Sequence, residues 1–248
     1  LYWILLLDAF VRYTGRRELA RELFPEVLRA LRWFERRVDA DGLLADVPHW
    51  VFIDWAELDK HGQVTALNAQ FVAALRAAAR LADIATRGSE SRRLRALATR
   101  IATAVNALLW DPGRGLYADA RSAGRLSRRI SQQANAAVIA HGVAPPTRWA
   151  AILDALVDPE RLRLTRRSGR EPTDPAFDED RHIVLAQPFF MHVLHAALRA
   201  AGRHAQILDN IRRRWPDLLG EGTTLRETWQ CDTTTSLCQA WSATPTFD

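Results

Sequence analysis

The stretch Glu18-Leu19-Ala20-Arg21-Glu22-Leu23-Phe24-Pro25-Glu26-Val27-Leu28-Arg29-Ala30-Leu31-Arg32-Trp33-Phe34 decides the fold class. Leu19, Leu23, Val27, Leu31 and Phe34 recur at steps of three and four residues. That spacing puts them on one face of a helix, with Arg and Glu filling the opposite face. Proline lacks the backbone donor a helix interior needs, so Pro25 predicts a break before it and a new first turn at it. Outward from this segment the same pattern returns. Apolar stripes predict helices over Leu5–Tyr13, Val64–Ala85, Ser91–Leu109, Ser131–His141, Thr147–Val157, Ile183–Ala201 and His204–Arg214, the last closed by Pro216. Counting both halves of the opening stretch gives about nine helices. Only short β pieces are expected, at Trp50–Ile53 and Gly115–Asp119.

The segments between these helices are unequal. Asp39–Gly62 is long and carries Trp50, Phe52 and Trp55. Arg161–Arg181 is long and charged, and Gly220–Thr235 is rich in Gly and Thr with a Glu and a Trp. Long loops in a compact helical domain tend to carry function. Helix pairs with short outer turns and long, aromatic, acid-bearing inner loops predict an all-α helical toroid. An α-solenoid would show a fixed repeat of roughly 35–45 residues, and no fixed period is visible. Residues 1–248 read as one domain.

Composition narrows the function. Of 248 residues 48% are hydrophobic and 25% charged, the balance of a chain that buries a core. No run of about eighteen apolar residues marks a membrane span. Leu1–Leu7 is apolar, but it lacks a basic leader region and a small-residue cleavage site. It reads as a helix entered part-way, so the chain is expected to be a piece of a longer multidomain enzyme. The net charge of +5 comes almost wholly from Arg, since Lys60 is the single lysine. Those Arg residues are interleaved with Glu, as in Glu35-Arg36-Arg37, which argues for surface pairs and against a nucleic-acid partner. Cys231 and Cys238 would lie two turns apart on a helix, out of disulfide reach. Two free thiols imply a reducing, cytoplasmic setting. No Cys/His cluster has metal-ligand spacing, and no cofactor is expected. His192 and His195, one turn apart, read as packing residues.

Three segments could carry chemistry. In Trp50-Val51-Phe52-Ile53-Asp54-Trp55, alternation would put Trp50, Phe52 and Asp54 on one face. A carboxylate set between Ile and Trp needs partners. Asp54 either accepts from sugar hydroxyls beside a stacking Trp, or caps the following helix from a core loop. In Gly222-Thr223-Thr224-Leu225-Arg226-Glu227-Thr228-Trp229, Glu227 is either a general base facing a water or a surface carboxylate paired with Arg226. Ser236-Leu237-Cys238-Gln239-Ala240-Trp241 reads, by itself, as a packed helix start.

Taken in order, these segments resemble the bacterial α-L-rhamnosidases of glycoside hydrolase family 78. The matching residues are Val51-Phe52-Ile53-Asp54-Trp55, Gly62, Ala66-Leu67-Asn68-Ala69, Leu109-Trp110-Asp111, Gly115-Leu116-Tyr117, Ser131-Gln132-Gln133-Ala134-Asn135-Ala136, Gly222-Thr223-Thr224 with Glu227 and Trp229, and Ser236-Leu237-Cys238 with Ala240-Trp241-Ser242 and Pro245. The resemblance implies an (α/α)6 toroid, lacking its opening helices, that removes terminal α-L-rhamnose from glycosides with inversion. Glu227 is then the general base. Asp54, Trp55, Trp50, Trp229 and Gln239 line the sugar pocket. Two departures accompany it. The Arg-Asp-Glu segment that supplies the family's general acid is not in this sequence, so the chain alone is expected to be nearly inactive. Gln239 stands where the family has His, and Gln cannot titrate near neutral pH. The competing expectation is a non-catalytic carbohydrate-binding or structural domain, a decayed glycosidase that keeps its aromatic walls.

Overall fold

The computed structural model describes residues 1–49, 51–165, 177–219 and 225–229. Among these are eight α-helices: α1 (Tyr2–Thr14), α2 (Arg17–Glu35), α3 (Thr65–Ile84), α4 (Gly88–Leu108), α5 (Gln132–Ala140), α6 (Pro146–Val157), α7 (Met191–Ala200) and α8 (His204–Leu219). α1, α3, α5 and α7 pack side by side in that order, and α2, α4, α6 and α8 back them on the outside. The sequence sets the two roles. α5 is buried from Gln132 to Ile139, and α3 buries residues on all sides, including Phe71, Leu75, Ala78 and Leu81. Helices apolar all round belong inside a layer. α2 and α4 bury a single stripe each and turn Arg and Glu outward. Alanines at 74, 77 and 78 let the neighbours of α3 approach closely. The result is an arc of a helical toroid, all-α apart from short strands.

Those strands lie at the loop ends of the hairpins. β1 (Gln63–Val64) pairs antiparallel with β4 (Ala120–Ser122), which pairs with β5 (Arg125–Leu126). β2 (Trp110–Asp111) pairs antiparallel with β3 (Leu116–Tyr117), and β6 (Leu162–Arg163) runs parallel to β7 (Ile183–Val184). A fixed sequence period is absent, yet the hairpins share one device. Asn68, fourth residue of α3, accepts from the Leu44 N–H (2.8 Å) and donates to the Leu44 carbonyl (3.0 Å) and the Val64 carbonyl (2.9 Å). Asn135, fourth residue of α5, does the same to the Tyr117 N–H (2.8 Å), the Tyr117 carbonyl (2.8 Å) and the Ser131 carbonyl (3.0 Å). Both amides are fully buried. Each satisfies backbone groups that face away from the segment's own antiparallel partner, Val38 for Leu44 and Trp110 for Tyr117.

Three sequence expectations are corrected. α2 runs unbroken through Pro25, and α8 runs through Pro216. Both prolines sit on the exposed face, so the carbonyl that loses its donor faces water rather than core. The stripe assigned to one helix over Ile183–Ala201 divides into β7, a 3₁₀ turn at Pro188–Phe190 and α7. The β-branched pair Ile183-Val184 finds strand partners, and Pro188 restricts Gln187 to an extended conformation. Residues 51–53 form no strand, since the loop turns inward at Asp54.

A groove of about 750 Å³ lies between α1, α3, α5 and α7, lined by Trp3, Leu6, Ile53, Phe190 and Val193 with Gln70, His141 and His192 at its polar edge. On α1 the large side chains Tyr2, Trp3, Leu6, Phe10 and Tyr13 are exposed.

Candidate active site

The loops preceding α3, α5 and α7 converge with the segment 225–229. Asp54 stands at their centre. Its residue surface is 3% exposed, and three donors grip its carboxylate. Oδ1 accepts from the Trp55 N–H (2.8 Å). Oδ2 accepts from the Gln133 side-chain amide (2.7 Å) and from the Gln187 N–H (2.8 Å). Each donor arrives by a different route. Trp55 follows in the same loop. Gln133 is the second residue of α5, whose N-cap Ser131 accepts from the Ala134 N–H. Gln187 is delivered by β7: the Val184 N–H bonds the Ile130 carbonyl, and the Ala186 N–H bonds Gln132 Oε1 (2.8 Å). Burial pushes the Asp54 carboxyl up to about 6, because desolvation outweighs the three donors. One lone pair of Oδ1 remains for a further donor. The Oε1 of Gln133 has no hydrogen-bond partner among the described residues.

Gln187 also joins Asp54 to the segment that carries Glu227. Its Oε1 accepts from the Trp229 N–H (3.0 Å), and the Trp229 indole donates to the Ala186 carbonyl (2.6 Å). Trp229 packs edge-on against Trp215, with their ring centroids 5.2 Å apart, and Thr228 is fully buried. Glu227 lies half-buried between these anchors and Arg226. No ion pair with Arg226 is formed, and no described residue hydrogen-bonds its carboxylate. Trp55 packs edge-on against Phe52 (5.0 Å), and Phe52 in turn contacts Phe189 (5.8 Å) and builds an aromatic wall. Tyr2 of α1 reaches the same wall through Phe189. The residue as a whole is 44% exposed, but its phenol end is crowded by protein and is pushed up to about 12, by burial first and by the charge of Asp54 second. Of the sequence candidates, the structure thus joins Asp54, Trp55 and Trp229 in one network and places Glu227 two residues from Trp229. Trp50, Gln239, Cys231 and Cys238 lie outside the described residues, as does most of the charged loop.

Two other carboxyls near Asp54, Glu57 and Asp59, are engaged. Glu57 receives Arg129 on its side chain (3.6 Å) and on its carbonyl (3.0 Å), and Asp59 receives the His61 ring and N–H. His195 is fully buried against Asn210 (2.9 Å), and His192 bonds the Phe189 carbonyl (2.7 Å). Gln133, Gln187 and Asp119 escaped sequence reasoning. Gln133 sits within a motif the sequence shows, but nothing local points it at Asp54, 79 residues away. The Ala-Gln-Pro context of Gln187 carries no signal beyond an end to the apolar run.

An arc of helical hairpins whose inner-helix loops gather tryptophans and carboxylates defines the class, a glycoside hydrolase domain of the helical-toroid type. The family profile described as the mannosylglycerate hydrolase MGH1-like glycoside hydrolase domain matches residues 53–219, and the chain belongs to that family. Its fold is that of the GH78 rhamnosidases. The rhamnosidase of Bacillus sp. GL1 superposes with a TM-score of 0.83 at 31% identity, over 98% of this chain and 25% of that one. A rhamnosidase from Klebsiella oxytoca with rhamnose bound gives a TM-score of 0.76 at 22% identity, over 98% of this chain and 44% of that one. The chain therefore spans less than half the length of either. A comparison with curated protein sequences finds no match. No described helix is long and apolar enough to cross a membrane.

Proposed function

We propose that this chain carries the base-bearing half of the active site of an inverting α-L-rhamnosidase. In this reading Glu227 removes a proton from the attacking water while a separate acid protonates the leaving oxygen. An inverting enzyme needs two such carboxyls about 6.5–9.5 Å apart, with room for the water between them. A single observation carries the proposal: the Glu227 segment is pinned through Trp229 and Gln187 to the buried Asp54, while the Glu227 carboxylate itself is left without a described partner. A surface Glu would gain nothing from so rigid a mounting, whereas a general base must be held within hydrogen-bond reach of its water. Asp54 contributes the remaining lone pair of Oδ1 to a sugar hydroxyl. Trp55 and Trp229, together with Trp50 and Gln239, form the rest of the pocket. Glu57 and Asp59 are tied to Arg129 and His61, so neither is assigned the acid's role.

The test is Glu227→Gln in the complete polypeptide, assayed with an aryl α-L-rhamnoside and with mannosylglycerate. The expected outcome is rhamnoside hydrolysis in the parent with β-rhamnose as first product by NMR. The variant is expected to lose activity by at least ~10³-fold with an unchanged circular dichroism spectrum. Hydrolysis at the parent's rate in the variant would refute the base assignment. Turnover of mannosylglycerate alone would change the sugar. Binding of rhamnose with no turnover by the parent would leave a carbohydrate-binding domain.

A further inference from the structure

Asp119 follows β3 and is buried, 3% exposed, away from any role in the arrangement above. Its Oδ1 accepts from the Ser131 hydroxyl (2.5 Å), and its Oδ2 accepts from the Asp59 N–H (3.3 Å). Its own backbone is used on both sides, since its N–H donates to the Arg129 carbonyl (2.9 Å) and its carbonyl accepts from the Thr65 N–H at the start of α3 (2.8 Å). Ser131 is the N-cap of α5, and two residues later Gln133 donates to Asp54. Asp59 ends the loop that begins at Asp54. The carboxylate therefore grips both arms of the cradle that holds Asp54, and the backbone carbonyl of the same residue fixes them to the first turn of α3.

We propose that Asp119 is a positioning residue for the sugar site: it sets the start of α5 and the loop 55–59 in register, and thereby aims Gln133 at Asp54. The inference rests on the reading of Asp54 as part of a sugar pocket. A structural carboxylate with no such duty could have been replaced by an apolar side chain, because a buried ionisable group is costly even when hydrogen-bonded. The charged groups around it are Asp59, whose negative charge opposes ionisation, and Arg129, which favours it. Arg129 is itself shared with Glu179 (2.8 Å) and Glu57 (3.6 Å), and Asp59 with His61 (3.0 Å). Burial is the largest influence and pushes the Asp119 carboxyl up to about 7. The grip is then complete above neutrality, when both oxygens accept, and weakens as the group takes up a proton.

The experiment uses the complete polypeptide, labelled with ¹³C at the aspartate carboxyls for NMR, with rhamnose binding measured in parallel by calorimetry. In Asp119→Asn the new amide must turn its N–H₂ toward either the Ser131 hydroxyl or the Asp59 N–H. The Asp54 carboxyl is expected to titrate at a higher pH than in the wild type. Rhamnose affinity is expected to fall roughly five- to tenfold, the worth of one lost hydrogen bond. Ser131→Ala cuts the same grip from the α5 side and should shift Asp54 likewise, which covers the case in which the Asn variant does not fold. Ser131→Thr keeps the hydroxyl and should restore wild-type behaviour. An Asp54 titration unmoved in both Asp119→Asn and Ser131→Ala overturns the proposal. A shifted Asp54 in a chain that does not bind rhamnose sustains the positioning role and overturns the sugar reading instead.

Discussion

Asp54→Asn should gain ~3 kcal/mol in stability relative to the wild type between pH 4 and pH 8. The reasoning starts from the carboxyl being raised from its ordinary 3.8 to about 6. Between those values the folded chain holds a proton that the unfolded chain has lost, so folding stability declines as pH rises through that window. Two units at ~1.4 kcal/mol each give ~3 kcal/mol of stability that is present at pH 4 and gone by pH 8. The asparagine does not titrate, but its amide carries two N–H donors and a single accepting oxygen, so at least one of the donors that meets the carboxylate loses its acceptor at every pH. The variant should therefore trail the wild type by ~1–3 kcal/mol at pH 4. Between pH 4 and pH 8 the difference should move in its favour by ~3 kcal/mol, or roughly 6–12 °C in melting temperature for a chain of this size. Equilibrium urea denaturation of both proteins at pH 4, 6 and 8 measures the difference directly. Taking the difference cancels the exposed carboxylates Glu18, Asp41 and Asp83, which are held below their ordinary values and act in the opposite sense. A stability difference that stays flat from pH 4 to pH 8, or that moves in the wild type's favour as pH rises, would refute the account of Asp54 as a charge held against its solvation energy.

Other substitutions test the scaffold around it. Gln187→Leu leaves the Trp229 N–H without its acceptor and should cost ~1–3 kcal/mol, with the Trp229 indole ¹H–¹⁵N resonance shifted; a wild-type spectrum would contradict the link. Gly62 has φ +69° and a Cβ there would lie 2.4 Å from the Arg121 carbonyl oxygen. Gly62→Ala should cost more than ~2 kcal/mol by thermal denaturation, since both the backbone and the β1–β4 pairing must give way. Asn135→Leu strips both backbone groups of Tyr117 of their partner and should cost ~3 kcal/mol or more. A loss below 1 kcal/mol there would mean that the extended segment is satisfied some other way.

The helices were largely legible because their stripes are long and their outer faces carry charge. Legibility failed where one residue decides the local conformation from outside the pattern. Pro25 and Pro216 look like breaks in sequence, but only their placement toward water makes them harmless. Ile183-Val184-Leu185-Ala186 reads in sequence as an extension of the apolar stripe of α7, and its strand character comes from partners at Ile130 and Arg163. Of the site, residues with a chemical signature could be named in advance: an Asp beside a Trp, a Glu in a Thr-rich turn. The residues that hold them could not. Gln133 and Gln187 act over 79 and 133 residues of chain, and an amide in sequence gives no sign of which carboxylate it will meet. Asp119 differs in kind, being an acid placed directly after a short strand and looking, in sequence, like any turn residue.

The paired asparagines have a consequence for how the arc comes apart. Leu44 and Tyr117 each belong to the stretch that leaves an outer helix, whereas the amide that completes their backbone belongs to the inner helix that follows. A hairpin that opens therefore strips hydrogen bonds from the segment before it, in addition to uncovering apolar surface. Fraying cannot stop cheaply at a hairpin boundary. Amide hydrogens at 44 and 117 should then exchange with solvent only through openings that also release α3 and α5, and report the same free energy as the most protected amides of those helices. In a stack of otherwise separable helix pairs, two neutral side chains make neighbouring units melt as one.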